Sequence, residues 1–430
     1  MTFLQSDRDL SRNSYYAATA ARSQRHAPLS GAIRCDVAIV GGGLAGLCAA
    51  LDLRERGLDV VLLEARELGW GASGRNGGQA IHGLACGQDV IEDQLGLDDS
   101  RRIWDMSIEA LDLLRERIAR HAIECEWRDG FLGVATSARK GAALQQWAHH
   151  IEQAYGYPLT RVRRADMPAW ISSRRYHSAV HDPRSGHLHP LKFSLGLARA
   201  AAAAGVRIFE NSAVTALTHG TEVRLATAQG EVRAAQVLLA GNVYLQGVAP
   251  QLERRIMPVG TYIVCSEPID PTVADALVPS RSAVCDTDFV LDYFRPTNDS
   301  RMLYGGRVSY STKTPANLAE SMRRRMVATF PQLASTKIAY AWGGFVDITM
   351  NRAPDFGRLS GNVYYLQGFS GHGLALTGLA GRLVAEAMTT DASRFDLFAR
   401  ISHRPFPGGP LLRTPALVLG MAWYRLKDLL

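Results

Sequence analysis

Gly41, Gly43 and Gly46 stand at G-x-G-x-x-G spacing, and Glu64 follows at about the ~20 residues that separate a phosphate-binding turn from a ribose-binding acid. These residue types at this spacing can hold a dinucleotide. Gly41 permits a tight turn. Gly43 puts no side chain between the backbone and a pyrophosphate. Gly46 lets a helix lie close on a sheet. Glu64 can accept hydrogen bonds from the adenosine ribose, and its charge repels a 2′-phosphate, which disfavours NADP.

The surrounding pattern supplies the elements that must position them. Residues 37–41 are apolar or small and read as a strand. A helical run extends to Arg56 and stops at Gly57, and residues 60–63 form a second apolar strand ending in Glu64. The helix start offers N–H groups and the positive dipole end to phosphates. A glycine turn alone is common. Strand, turn, helix, strand and acid in register make it specific, although they do not separate FAD from NAD.

Two further stretches make that choice. Residues 69–79, GWGASGRNGGQ, follow directly on the acid, where an extended cofactor would pass towards its reactive ring. The small residues allow close backbone approach, Ser73 and Asn76 can donate or accept, and Arg75 can neutralise phosphate. Residues 368–373, GFSGHG, open the last helix that packs on the sheet. Its N–H groups would face the negative charge of a reduced flavin near N1 and O2, a requirement NAD lacks.

The chain has 430 residues, 47% hydrophobic and 21% charged, which is an ordinary globular balance for two or three domains. The net charge of +7 comes with no basic block interleaved with aromatics, and Arg323, Arg324 and Arg325 read as one helix face. No nucleic-acid partner is expected. Cys35, Cys48, Cys86, Cys125, Cys265 and Cys285 form no C-x-x-C pair and no metal spacing, so no metal and a reduced, cytoplasmic setting are expected. The first residues lack the apolar core of a secretory signal, and no run of ~18 apolar residues suits a membrane span. Residues 415–424 read as a docked helix.

Helices are expected over 98–122, 140–155, 191–204 and 315–329, and from the GFSGHG turn to about residue 388. Residues 126–136 read as strand, turn and strand. A hairpin is expected around Gly230, with a buried strand at 236–240. Residues 256–346 alternate and are rich in β-branched and aromatic residues, as in an antiparallel sheet. The fold class is α/β with an α+β second domain. A three-layer Rossmann-like FAD-binding domain comes from 33–97, 165–250 and 346–395, and an antiparallel-sheet substrate domain from 98–164 and 251–345. Residues 1–32 form an arm with a short packed helix at Tyr15 and Tyr16, and 396–430 form a tail. A ligand should lie between the domains.

In this order and spacing the stretches resemble the D-amino-acid-oxidase-like family of FAD-dependent amine oxidases. SYYAATA at 14–20, GASGRNGGQ at 71–79, GHLHPL at 186–191, Ala240-Gly241-Asn242 with Tyr244, LDYFR at 291–295, LYGG at 303–306, FGRL at 356–359, GFSGHG at 368–373 and PFPGG at 405–409 carry the likeness over essentially the whole chain. The resemblance implies FAD contacts at Gly41, Gly43, Leu44, Ala45, Gly46, Glu64, Ala65, Ser73, Arg75, Asn76, Gly77, Gly78, Gln79, Val214, Gly371, His372, Gly373 and Leu374. Relatives that attach flavin covalently use a cysteine in the segment matching 341–347. None stands there, which implies non-covalent FAD.

The activity implied is oxidative deamination of a primary amine to an aldehyde, with ammonia and hydrogen peroxide as the other products. The substrate class implied is gamma-glutamylated amines such as gamma-glutamylputrescine, in polyamine catabolism. Some relatives speed oxygen use with a lysine, and none occurs over 301–307. Electron transfer from another amine or amino acid to a different acceptor is therefore the alternative, and a non-catalytic flavin-binding subunit is a third reading. Tyr293, Tyr304, Trp342 and His372 are the candidates for the substrate cleft, where an aromatic wall could hold an aliphatic amine. A substrate carboxylate calls for an arginine, with Arg295 and Arg307 as candidates. His187 and His189 beside Pro190 are read as structural.

Overall fold

A computed structural model gives the fold and describes residues 13–245, 247–288, 290–309 and 317–407, without the side chains of 307–309. The chain begins with the one-turn helix α1 (Tyr15–Thr19), which buries Tyr15 and Tyr16 as the sequence implies. Then β1 (Gly31–Val40), α2 (Leu44–Glu55) and β2 (Val60–Leu63) build the first unit. Alternation sets its two faces. Val37, Ile39, Val60 and Leu62 enter one apolar core, and Ala38, Val40, Val61 and Leu63 enter another on the opposite side. The chain then crosses through residues 64–78 to β3 (Gln79–Ala80).

Helices α3 (Gln88–Leu95) and α4 (Leu97–Arg120) follow, then β4 (Arg128–Ala135), α5 (Ala138–Tyr155), β5 (Thr160–Val162), β6 (Ser178–His187) and α6 (Pro190–Ala203). Next come β7 (Arg207–Phe209), β8 (Ala216–Thr218), β9 (Val223–Ala226), β10 (Gly230–Leu239), α7 (Pro250–Glu253) and β11 (Ile256–Ser266). The remainder is α8 (Pro271–Leu277), β12 (Ala283–Asp286), β13 (Tyr293–Pro296), β14 (Met302–Ser309), α9 (Leu318–Thr329), β15 (Ile338–Thr349), β16 (Asp355–Ser360), β17 (Val363–Gln367), α10 (Gly373–Thr389) and α11 (Ser393–Ala399).

Two sheets result. The first has the order β16-β17-β10-β1-β2-β7, parallel from β17 to β7, with β8 and β9 added as a hairpin on β10. Helices α2, α4, α6 and α10 cover one face through Leu47, Leu51, Leu114, Leu197, Leu379 and Leu383. Burying each such leucine contributes about 1.5–3 kcal/mol. Gly381 lets α10 meet α2 backbone to backbone, since a Cβ there would lie 2.6 Å from the Ala49 nitrogen. The second sheet runs β15-β11-β14-β13-β12-β4-β6-β3, with β5 on β6, and is antiparallel except for β12 with β4. Met322 and Met326 of α9 close its core.

Three expectations change. Residues 126–136 do not turn back: β4 is one strand, and Gly130, at φ 104°, sits in a bulge where the register with β6 shifts. Residues 178–187, grouped by the sequence with the FAD-binding unit, form β6 of the second sheet. β3 and the end of β15 belong to that sheet too, so the chain passes between sheets more often than the composition suggests. The expected helix at 415–424 lies outside the described residues.

Candidate active site

A cavity of about 900 Å³ runs from the carboxyl ends of β1 and β2 to the start of α10. It lies near the upper end of the ~300–1,000 Å³ range of small-molecule sites. Gly41, Gly43, Leu44, Ala45, Glu64, Ala65, Ser73, Arg75, Asn76, Gly77, Gln79, Val214, Gly371, His372, Gly373 and Leu374 line it together, although they come from four separate parts of the chain.

The fingerprint glycines act through different contacts. Gly41 has φ 114°, and a Cβ there would lie 2.6 Å from the oxygen of Ala240, just past the end of β10. Gly46 does not line the cavity. A Cβ on it would meet the Gly41 oxygen at 2.0 Å, so it serves the close seat of α2 that its position implies. Gly42, which the motif leaves unassigned, has its own role. Its N–H donates to Glu64 Oε2 at 2.7 Å, and a side chain there would strike Leu68 and that carboxylate. Glu64 also accepts from the Arg66 N–H at 2.8 Å. Burial raises its pKa, and these two N–H groups partly offset the rise.

The second glycine stretch shapes itself. Ser73 Oγ accepts the Leu44 N–H at 2.9 Å, so one of the helix-start donors is already engaged. Asn76 donates to the Ala72 and Ser73 carbonyls, and its Oδ1 accepts the Gly78 N–H at 2.8 Å. Gly78, at φ 77°, faces the Leu188 carbonyl rather than the cavity. The Arg75 guanidinium lies 4.1 Å from the Trp70 ring centroid, and Trp70 itself turns edge-on to Tyr244; both rings line the cavity. Gln79 donates to the Val284 carbonyl at 3.0 Å.

At the far end, His372 stands at the N-cap position of α10 without a capping bond, and its Nε2–H donates to the His82 carbonyl at 2.8 Å. Burial pushes the imidazole down to about 4, so it is neutral near pH 7. The loop before it is pinned by Asp347, which accepts the Gly368 N–H at 2.5 Å and is raised to about 6 by burial. Tyr293 lines the cavity with its ring between two glycines. A Cβ on Gly77 would lie 2.6 Å from that ring, and one on Gly305 would lie 2.1 Å from it. Cys285, Leu291, Gly306 and Gly344 also line the cavity.

Three candidates for the cleft are corrected. Tyr304 is buried in the second sheet's core, stacked on Phe294 at 5.5 Å, with its hydroxyl 2.9 Å from Thr329 Oγ1. Trp342 is buried against Tyr16 and donates its indole N–H to the Arg75 carbonyl at 2.9 Å. It supports the cofactor loop from behind. Arg295 is 2% exposed and ties the Gly77 and Leu188 carbonyls to the Tyr16 hydroxyl, away from the cavity. The Arg307 side chain lies outside the described residues. Arg352, absent from the sequence candidates, lines the cavity, and its charge bears on His372 and Cys285. His187 bonds the Arg281 carbonyl, and His189 caps α6 by accepting the Lys192 N–H, both structural roles.

An FAD dependent oxidoreductase family model matches residues 36–387, which hold every described lining residue of this cavity except Phe406 and Pro407. The chain belongs to that family. As a member it is an FAD-dependent oxidoreductase, and the residues present fit FAD. A Cβ on Gly43 would meet only Ser73, and one on Gly371 would meet nothing within 4 Å, so both backbones stand open to the cavity. The flavoprotein is 43% identical to the gamma-glutamylputrescine oxidoreductase of Escherichia coli (strain K12), over 97% of this chain and 98% of that one. It is 37% identical to the probable oxidoreductase OrdL of Haemophilus influenzae, over 96% and 97%. Its fold matches the crystal structure of glycine oxidase from Geobacillus kaustophilus at a TM-score of 0.69 and 20% identity, over 83% of this chain and 94% of the other. Among the described residues no helix is long and apolar enough to cross a membrane, and no cluster of histidine, cysteine or acidic residues could hold a metal.

Proposed function

We propose that this enzyme oxidises a primary amine that carries a carboxylate at its far end, with gamma-glutamylputrescine as the substrate. The products are the gamma-glutamyl aminoaldehyde, ammonia and hydrogen peroxide, with water and oxygen consumed. The observation that carries the reading is the company kept beyond the glycine cradle: a neutral imidazole (His372), an aromatic face (Tyr293) and a guanidinium (Arg352) line one cavity. The likeness to the Escherichia coli gamma-glutamylputrescine oxidoreductase supports the choice of amine.

FAD, when bound, supplies the two-electron oxidation of the carbon–nitrogen bond. The residues of this chain bind, orient and exclude. Gly41, Gly43, Ser73 and Asn76 hold the phosphate-bearing part, and Glu64 the adenosine ribose. Gly371 to Leu374 bring the positive end of α10 to the developing negative charge. No cysteine lies in 341–347, which supports non-covalent attachment. Arg352 pairs with the substrate carboxylate, and the Tyr293 ring flanks the aliphatic chain. His372 stays neutral, so this side chain does not repel the ammonium form of the amine as it enters.

The test is anaerobic addition of gamma-glutamylputrescine to the purified holoprotein. Loss of the visible absorbance of oxidised FAD, with recovery and peroxide when air is admitted, is the expected result. No loss with FAD present would refute this substrate. A second reading, electron transfer to an acceptor other than oxygen, is favoured by one observation: among the described residues no lysine lines the cavity. Loss of absorbance without recovery in air would select it.

A further inference from the structure

A side cavity of about 170 Å³ adjoins the main one, and Ile81, Leu84 and His372 line both. Its remaining walls are mainly aromatic: His82, Trp104, Phe131 and Trp147, with Gln88 and Cys86. The His82 ring lies 5.4 Å from Trp104 and 6.0 Å from Trp147, and on Trp147 it is stacked at 17°. Behind it stands Asp182, 1% exposed. That carboxylate accepts from His82 Nδ1 at 2.7 Å, from the Tyr157 hydroxyl at 2.8 Å and from the N–H groups of Arg184 and Ser185. Nδ1 faces the carboxylate, so Nε2 is the ring atom turned away from it, and among the described residues no protein group bonds it. Aromatic faces, a ring nitrogen without a protein partner and a carboxylate one layer behind form a site for a cation, and neither lysine nor arginine lines it.

We propose that this side cavity is the subsite for the α-ammonium group at the far end of a gamma-glutamyl substrate, with Trp104 and Trp147 facing the cation and His82 Nε2 accepting a hydrogen bond from it. The proposal rests on the gamma-glutamyl amine reading above. It fits the placement of Arg352, which lines the main cavity while its charge reaches Cys86 of the side-cavity wall. A cation-seeking box and a carboxylate-seeking guanidinium thus flank the loop at 84–88, as the two charges of an α-amino acid require.

The experiment compares gamma-glutamylputrescine with its des-amino counterpart, N-glutaryl putrescine, which keeps the reacting amine and the carboxylate. The holoenzyme is expected to use the glutaryl compound with kcat/KM about tenfold lower, equivalent to ~1.4 kcal/mol. Trp147→Leu, checked for FAD content by its visible spectrum, is expected to bring the two efficiencies to within about twofold by lowering the gamma-glutamyl value. Trp147→Phe keeps an aromatic face and is expected to keep the preference. Equal efficiency of both compounds in the unaltered enzyme would overturn the subsite alone, as would a Trp147→Leu change that lowers both alike. If neither compound reduces the bound FAD, the gamma-glutamyl reading fails and takes this proposal with it.

Discussion

His372 donates its Nε2–H to the backbone carbonyl of His82 at 2.8 Å, and this bond joins the start of α10 to the loop that follows β3. A carbonyl only accepts, so the bond fixes the tautomer and leaves Nδ1 unprotonated in the neutral ring. The imidazole has been pushed down to about 4, mainly by burial. The kcat/KM profile should therefore show no inflection from His372 above about pH 5, and its acid limb should follow the substrate amine. His372→Gln keeps a donor for the carbonyl and should retain most of the rate of anaerobic FAD reduction. His372→Ala removes it and should lower that rate about two- to tenfold, in line with the ~0.5–1.5 kcal/mol of one hydrogen bond. Equal rates for all three proteins would remove the bond from the account.

Tyr293 is held by absence. Gly77 and Gly305 leave room for its ring, and a methyl group at Gly305 would overlap the ring at 2.1 Å. Gly305→Ala should displace the ring and raise KM for the amine several-fold, as should Tyr293→Ala, while both variants keep FAD. The double variant should be no worse than either single one, because the two changes act through one ring. Steady-state kinetics on the three variants checks this, and additive effects would contradict it.

The cofactor cradle tests the division of labour among the glycines. Gly43→Ala adds a methyl group 2.8 Å from Ser73 Oγ, a side chain that can yield, so the protein should fold with FAD affinity reduced. Gly46→Ala puts a methyl group 2.0 Å from the Gly41 backbone oxygen, which cannot yield without moving α2 off β1. That variant should lose thermal stability as well as cofactor. Melting temperatures of the two apoproteins separate the cases. A Gly46→Ala apoprotein as stable as the parent would show that the helix seat is softer than the geometry implies.

Much of this site could be read before the structure because its signals are local. A glycine at a tight turn, an acid at the end of a strand and a period-2 apolar run each carry their reason in a few adjacent residues. The first sheet and the cradle were legible on that basis. Tyr304 and Trp342 were not, because a strand residue faces core or cavity according to register and sheet packing, and alternation alone gives two faces without saying which is which. Arg295 is read wrongly from sequence for a related reason. Its partners, the Gly77 and Leu188 carbonyls and the Tyr16 hydroxyl, come from three distant segments. Arg352 sits in the connection between β15 and β16, with no periodic signal around it, and only the fold brings it to the cavity. Gly130 looked like a turn because a glycine at positive φ serves a bulge as well as a hairpin.

His189 allows a stability test with a defined sign. It accepts the Lys192 N–H as the cap of α6, lies 3.0 Å from Thr19 Oγ1 through Nε2, and packs on Tyr16 at 4.7 Å. Burial, with Arg295 and Lys192 nearby, pushes it down to about 3. The unfolded chain therefore takes up this proton near the ordinary value of 6.5 while the folded protein resists it. The stabilisation is present above about pH 6.5 and is lost progressively as the pH falls towards 3. His189→Asn removes the titration but keeps a residue that caps helices well. Two carboxylates, Asp347 and Asp286, are raised to about 6 and about 7 and act in the opposite direction, so the absolute slope mixes several groups. The difference between parent and variant isolates His189. Chemical denaturation at pH 7 and at pH 5 should show the parent losing more stability than His189→Asn over that interval. Equal losses would mean that the imidazole is protonated in the fold without cost and that its seat between Thr19 and Tyr16 admits the charge.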